Sequence, residues 1–225
     1  MDTGSSAVEN YLKDIYELQD KDAPVSTTAL AQRLRVTSPS VTGMLKRLAA
    51  QDPPLVDYER YQGVALTPAG ERLALAVIRR HRLLELFLAR ALNYSWDEVH
   101  AEADRLEHVI SERLEDRIAA WLGDPSTDPH GDPIPTKEGK VARSTCHPLS
   151  DLQRGETGRV ASALDEDPAV LRYLAEKGLV PGAAITVTDR VPFGGPVVVK
   201  VGTHAPETLS KEITDCICVS ADDKA

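Results

Sequence analysis

Apolar residues recur first at helical spacing: Val8, Tyr11, Leu12, Ile15 and Leu18 fall on one face of residues 7–18 and predict an amphipathic first helix. Behind Ser26, Leu30 and Leu34 predict a short second helix over residues 26–36. A third helix begins three to four residues later, where Ser38 caps and Pro39 takes the first helical position, and it runs to Leu48. Residues 54–59 and 64–67 read as strands around a turn at 60–63 that contains Gly63. Two short helices and a hairpin make a winged helix-turn-helix. A long helical stretch follows, from Thr67-Pro-Ala-Gly-Glu toward His81 and Leu92, and the helical period returns over residues 100–121.

Beyond Trp121 the pattern changes. Residues 123–135 are a loop by composition and 137–147 a linker. Strands are expected at residues 158–163, 184–188, 196–201 and 213–219, with a helix over 168–177 closed by Gly178. The fold class is mainly α with a small β barrel at the C-terminal end, and 225 residues suit two or three domains.

No segment approaches eighteen apolar residues and the opening MDTGSSAVEN lacks a signal peptide's basic and apolar regions, so neither a membrane span nor secretion is expected. The three cysteines, Cys146, Cys216 and Cys218, lack the paired spacing of a zinc knuckle and point to a reduced, cytoplasmic protein. Cys216 and Cys218 are expected in a strand core. The net charge of −9 argues against nucleic acid until its distribution is considered. Residues 23–51 contain no acidic residue but carry Arg33, Arg35, Lys46 and Arg47.

That window covers the proposed reading helix. Thr37, Ser38, Pro39, Ser40, Thr42 and Gly43 are short enough for the backbone to approach base edges in a major groove. Arg35, Lys46, Arg47 and the wing's Arg60 would reach phosphates. An ordinary helical corner would explain the helix pair, but not the acid-free window or the hairpin directly after it.

The second chemical signal is His100-Ala-Glu-Ala-Asp-Arg-Leu-Glu-His108. On one continuous helix His100, Asp104, Glu107 and His108 share a narrow face, beside Ala103, Leu106, Ile110, Leu114 and Trp121. His81 and Glu85 form a second pair at i,i+4. A helix rich in His and Glu is ordinarily a solvated face. Two helices with such pairs would bring six donors close, and imidazole plus carboxylate suits a first-row divalent ion.

These residues carry a resemblance to the diphtheria-toxin-repressor family of iron- and manganese-dependent transcriptional regulators. It rests on ENYLKDIYEL, SPSVTGMLKRL, LTPAGERLA, RHRLLE around His81, VHAEADRLEHV, DPHGDPIP, PLSDLQRGETGRV and GLVPGAAITVTDR with GGPVVVKVG, and so covers nearly the whole chain. The resemblance implies a winged helix-turn-helix domain at 1–73, a helical dimerisation and metal domain with linker at 74–147, and an SH3-like domain at 148–225. It implies a cytoplasmic homodimer that binds double-stranded DNA at a palindromic operator and represses metal-uptake genes when metal-loaded. It assigns His81, Glu85 and His100 to one metal site, and Asp104, Glu107 and His108 to a second. Asn10 stands where the family draws a further ligand from the first helix, with Glu9 or a water as alternatives; Asp167 is the nearest donor from the SH3-like domain, with Asp165 and Glu166 alternatives and apolar Val170 at the other donor position. Asp104 stands where iron members carry cysteine and manganese members a carboxylate, which makes Mn²⁺ the leading effector and Fe²⁺ the second, with other divalent metals binding in vitro.

An enzyme is not expected, because a metallohydrolase would need HExxH or a comparable site and a phosphate-handling enzyme a Gly-rich loop, and neither is present. A winged-helix regulator sensing a small organic ligand or an oxidant is the alternative. A purely structural protein leaves the donor stripes unexplained.

Overall fold

The computed structural model describes residues 6–19, 24–142, 145–164 and 167–221. The chain falls into two compact units: Met1–His81 with Leu106–Ile110 and Pro135–Lys140, and Arg82–Arg105 with Ser111–Ile134 and Val141–Ala225.

The first unit opens with α1 (Ser6–Gln19), α2 (Thr27–Arg33) and α3 (Ser38–Ala49), then the hairpin β1 (Val56–Glu59) and β2 (Gly63–Leu66). It also takes α4 (Pro68–Leu92) as far as His81. Each short helix starts on a hydroxyl cap: Ser26 accepts the N–H of Ala29, and Thr37 that of Ser40. The α3 cap is therefore Thr37 rather than Ser38, because Thr37 holds the extended backbone that a cap requires. The hairpin pairs Val56 with Leu66 through to Glu59 with Gly63, and Val25 bridges Val64. Leu12, Ile15, Leu30, Val41, Leu45, Leu48 and Val64 are fully buried together, which is why apolar spacing alone locates these elements. Gly70 allows the close approach of α4 to the strand, since a Cβ there would lie 2.0 Å from the carbonyl oxygen of Leu55.

The second unit takes the rest of α4, most of α5 (Val99–Leu106) and α6 (Glu112–Leu122). It continues through β3 (His147–Pro148), β4 (Thr157–Ala163), α7 (Pro168–Glu176), β5 (Ala184–Arg190), β6 (Val197–Val201), β7 (Glu207–Leu209), α8 (Lys211–Asp215) and β8 (Ile217–Ala221). The strands form one antiparallel sheet in the order β3-β8-β4-β5-β6-β7. Bulges between Val160 and Ser162 and between Val187 and Asp189 bend it around a core of Leu149, Val160, Leu171, Leu174, Ile185, Val187, Val199 and Val219.

Three further expectations need correction. The continuous helix over residues 100–121 is broken: α5 stops at Leu106, residues 107–110 turn, and Ser111 caps α6 by accepting the N–H of Leu114. The β-branched Val109 and Ile110 favour helix weakly, and Ser111 offers a competing start. The strand expected at 213–219 begins at Ile217, because Ser210 caps the short α8. Cys146 and Cys218 are joined in a disulfide with Cα atoms 5.6 Å apart, contrary to the reduced reading, and Cys216 stands outside that bridge. Pairing of Pro148 with Cys218 brings Cys146 alongside β8. Among the described residues no helix is long and apolar enough to cross a membrane.

Candidate metal centres and nucleic-acid face

Each of the two units gathers donor residues of its own. In the first, Glu107 and His108 stand in the turn that follows α5 rather than on a continuous helix. Glu107 is 1% exposed and its Oε2 lies 2.6 Å from His81 Nδ1, while Oε1 lies 3.2 Å from His108 Nε2. His108 Nδ1 reaches Glu9 Oε2 at 2.5 Å, and Glu9 Oε1 accepts from Arg80 at 3.1 Å. Of the two candidates on α1, Glu9 therefore joins this cluster, and Asn10 is exposed. One turn beyond Glu9 stands Lys13, a residue that the donor spacing does not single out. It is buried, with Nζ 3.1 Å from His81 Nδ1 and 3.2 Å from Glu107 Oε2.

In the second unit, Glu85 is buried and its Oε1 lies 3.1 Å from His100 Nδ1, whose Nε2 is 3.6 Å from Asp104 Oδ2. Glu85 also gathers with Asp128 and His130, all three buried, with ligand atoms within 4.8 Å of one another. By composition these last two belong to a loop and carry no assigned role. The loop is built to hold them: Asp128 Oδ1 accepts the N–H groups of His130 (2.8 Å) and Asp132 (3.0 Å), and Ala163 on β4 donates to the His130 carbonyl. Gly131 has φ +89°, and a Cβ there would lie 1.9 Å from the carbonyl oxygen of Ala161, so glycine is required for the loop to lie against β4. A signal is present in the sequence, since an Asp-Pro-His-Gly-Asp run places two donors around a glycine turn. Burial, and then the charges of Glu85 and Asp132, hold the Asp128 carboxyl well above the usual range, against the pull of Arg82.

Both sets consist of imidazole nitrogen and carboxylate oxygen, and both bury carboxylates that are costly to leave without a cation. Asp167 does something else: it is exposed and caps α7, its carboxylate accepting the N–H of Ala169. Its alternatives Asp165 and Glu166 lie outside the described residues.

Candidate DNA contacts gather on α3 and the wing. Ser38, Pro39, Ser40, Gly43, Lys46 and Arg47 are exposed, and Thr42 is half-buried. Arg35 is also exposed, in the turn before α3, with φ 54°. Arg60 lies over the ring of Tyr61 at the exposed tip of the hairpin. Arg33, by contrast, is held by Asp14 and Glu17 of α1.

Three family models match the chain: an iron dependent repressor N-terminal DNA binding domain at residues 4–64, an iron dependent repressor metal binding and dimerisation domain at 67–136, and a FeoA domain at 147–221. The iron-dependent repressor IdeR of Mycobacterium tuberculosis is 32% identical over 223 residues, covering 94% of this chain and 95% of its own. The diphtheria toxin repressor of Corynebacterium diphtheriae is 37% identical over 127 residues, 56% of this chain and 55% of its own. Among solved structures, a manganese-dependent transcriptional repressor in complex with manganese is 41% identical, covers 94% of this chain and 98% of its own, and has a TM-score of 0.87. ScaR with bound Cd²⁺ is 30% identical over 95% of this chain and 98% of its own, with a TM-score of 0.79.

Proposed function

The chain belongs to the iron-dependent repressor family of metal-dependent transcriptional repressors, and we propose that this member responds to manganese and acts as a homodimer on a palindromic operator. It carries that family's DNA-binding domain and its metal-binding and dimerisation domain. The observation that carries the manganese reading is the donor chemistry. Every donor gathered in the two clusters offers imidazole nitrogen or carboxylate oxygen, and Asp104 stands where the resemblance puts cysteine in iron members. The manganese-bound relative supports the same choice.

The site reading is that Glu9, His81, Glu107 and His108 hold one ion, and that Glu85, His100 and Asp104, with Asp128 and His130, hold another. Metal bound there supplies concentrated positive charge that several carboxylates share. The protein's part is to connect that charge to DNA. Glu9 lies on α1, whose Leu12 and Ile15 are packed in the core of the winged helix, so ordering Glu9 against His108 also orders the helix under the reading head. A ligand that favours one arrangement shifts the population toward it, and a coupling of about 1–3 kcal/mol gives roughly a 5- to 150-fold change in DNA affinity.

The test is selection of DNA from a random pool by the purified protein, followed by affinity measurement with free Mn²⁺ or Fe²⁺ titrated anaerobically. Retention of an inverted-repeat sequence at lower free Mn²⁺ than Fe²⁺ is expected. DNA binding of equal strength in chelator would refute the metal-dependent reading.

A further inference from the structure

Lys13 does not fit a plain ligand set. A lysine is among the last residues expected inside a cluster of metal donors, because it brings the charge that the ion itself would bring. Yet it is buried on the same stripe of α1 as Glu9, and its Nζ is 3.1 Å from His81 Nδ1 and 3.2 Å from Glu107 Oε2. Those two atoms are themselves only 2.6 Å apart, within hydrogen-bond distance, so the ammonium lies against an imidazole–carboxylate pair whose negative charge sits on Glu107.

We propose that Lys13 is a tethered stand-in for the metal: in the metal-free protein its ammonium neutralises Glu107, and an ion entering the cluster must displace it. The inference rests on the reading of Glu9, His81, Glu107 and His108 as metal ligands. Glu107 is 1% exposed, and a carboxylate that deep needs a compensating cation whether or not metal is present. Lys13 meets that need from within the chain. An ion bonded to His81 and Glu107 at about 2.0–2.2 Å would face a positive charge at close range, so one cation has to leave as the other arrives. Because Lys13 and Glu9 are one turn apart on α1, the exchange takes place on the helix beneath the reading head.

Two consequences follow for this chain. Its first helix is held against α4 and the 107–110 turn even without metal, through Lys13. Its metal affinity is set below what the ligands alone would give, which raises the free-metal level at which it responds. Lys13 is in this sense a residue that sets the threshold.

The experiment is calorimetric titration of the full chain with Mn²⁺, paired with thermal unfolding in chelator and in excess Mn²⁺, for the wild type, Lys13→Met and Lys13→Arg. Lys13→Met keeps the length and loses the charge, so it is expected to bind Mn²⁺ about tenfold more tightly and to unfold earlier in chelator, widening the gap between metal-free and metal-loaded midpoints. Lys13→Arg, which keeps the charge, is expected to bind like the wild type. Should Lys13→Met not survive purification without metal, Lys13→Gln carries the same expectation. A lowered midpoint in chelator with unchanged or weaker Mn²⁺ binding would make Lys13 merely structural and overturn the proposal. Absence of Mn²⁺ binding from the wild type and every variant would overturn the metal reading itself.

Discussion

His130 donates its Nε2–H to the carbonyl of Trp96 across 3.0 Å, and because a carbonyl can only accept, the lone pair of the ring is left on Nδ1. That atom is 3.9 Å from Glu85 Oε2. The backbone thus selects the tautomer that a metal ligand requires, as partners beyond the ligands commonly do. His130→Phe keeps a ring against Trp96 and removes the lone pair. Mn²⁺ affinity of the second-unit cluster should fall by at least about tenfold, while unfolding in chelator shifts by only about 1 kcal/mol for the missing hydrogen bond. Calorimetric titration decides it: undiminished Mn²⁺ binding would remove His130 from the ligand set.

The reading helix contains a glycine that its own fold does not require. A Cβ built on Gly43 meets nothing within 4 Å. Alanine in a helix interior is favoured over glycine by about 1 kcal/mol, so Gly43→Ala should stabilise the protein by that amount. Its operator affinity should nevertheless drop about tenfold, because the added methyl occupies space that DNA is expected to enter. Equal affinity in a binding titration would mean that base edges do not come close at Gly43.

Lys46 and Arg47 are exposed at the C-terminal end of α3, where they are expected to neutralise phosphates. The double variant Lys46→Ala, Arg47→Ala should weaken binding to specific and random DNA alike. The slope of log affinity against log salt should become shallower by about 0.9 for each phosphate no longer neutralised. A salt slope equal to that of the wild type would place the docking face elsewhere.

Burial raises the Asp14 carboxyl to about 6 from 3.8, even though Arg33 bonds to it. A carboxyl whose folded pKa is raised binds protons more tightly in the folded state. Its contribution to stability is therefore complete below pH 3.8 and is lost as pH rises through about 6. Urea unfolding across that interval should show metal-free stability falling more steeply in the wild type than in Asp14→Asn. Parallel profiles would contradict the shifted carboxyl.

Legibility in the sequence follows how local each cause is. Ser26, Pro39 and the spacing from Leu30 to Leu48 act within a few residues, so the helix-turn-helix and its wing are readable from the amino acids alone. The end of α5 is not, because the apolar period runs on past Leu106 and is broken by the β-branched Val109 and Ile110 together with the competing cap at Ser111. Asp128 and His130 are hidden for another reason: a loop has no period, and their burial depends on Gly131 meeting Ala161 far along the chain. Cys146 and Cys218, 72 residues apart, are neighbours only through strand register. Lys13 looks from its spacing like an ordinary solvated lysine, and only the positions of His81 and Glu107 reveal otherwise.

The strands at the two borders of the six-stranded sheet are its shortest, two residues in β3 and three in β7. Borders that brief expose few unpaired N–H and C=O groups for another chain to copy. The C-terminal domain is thereby guarded against growing strand by strand into fibrils when the protein is concentrated, a safeguard that comes from the layout of the ladder.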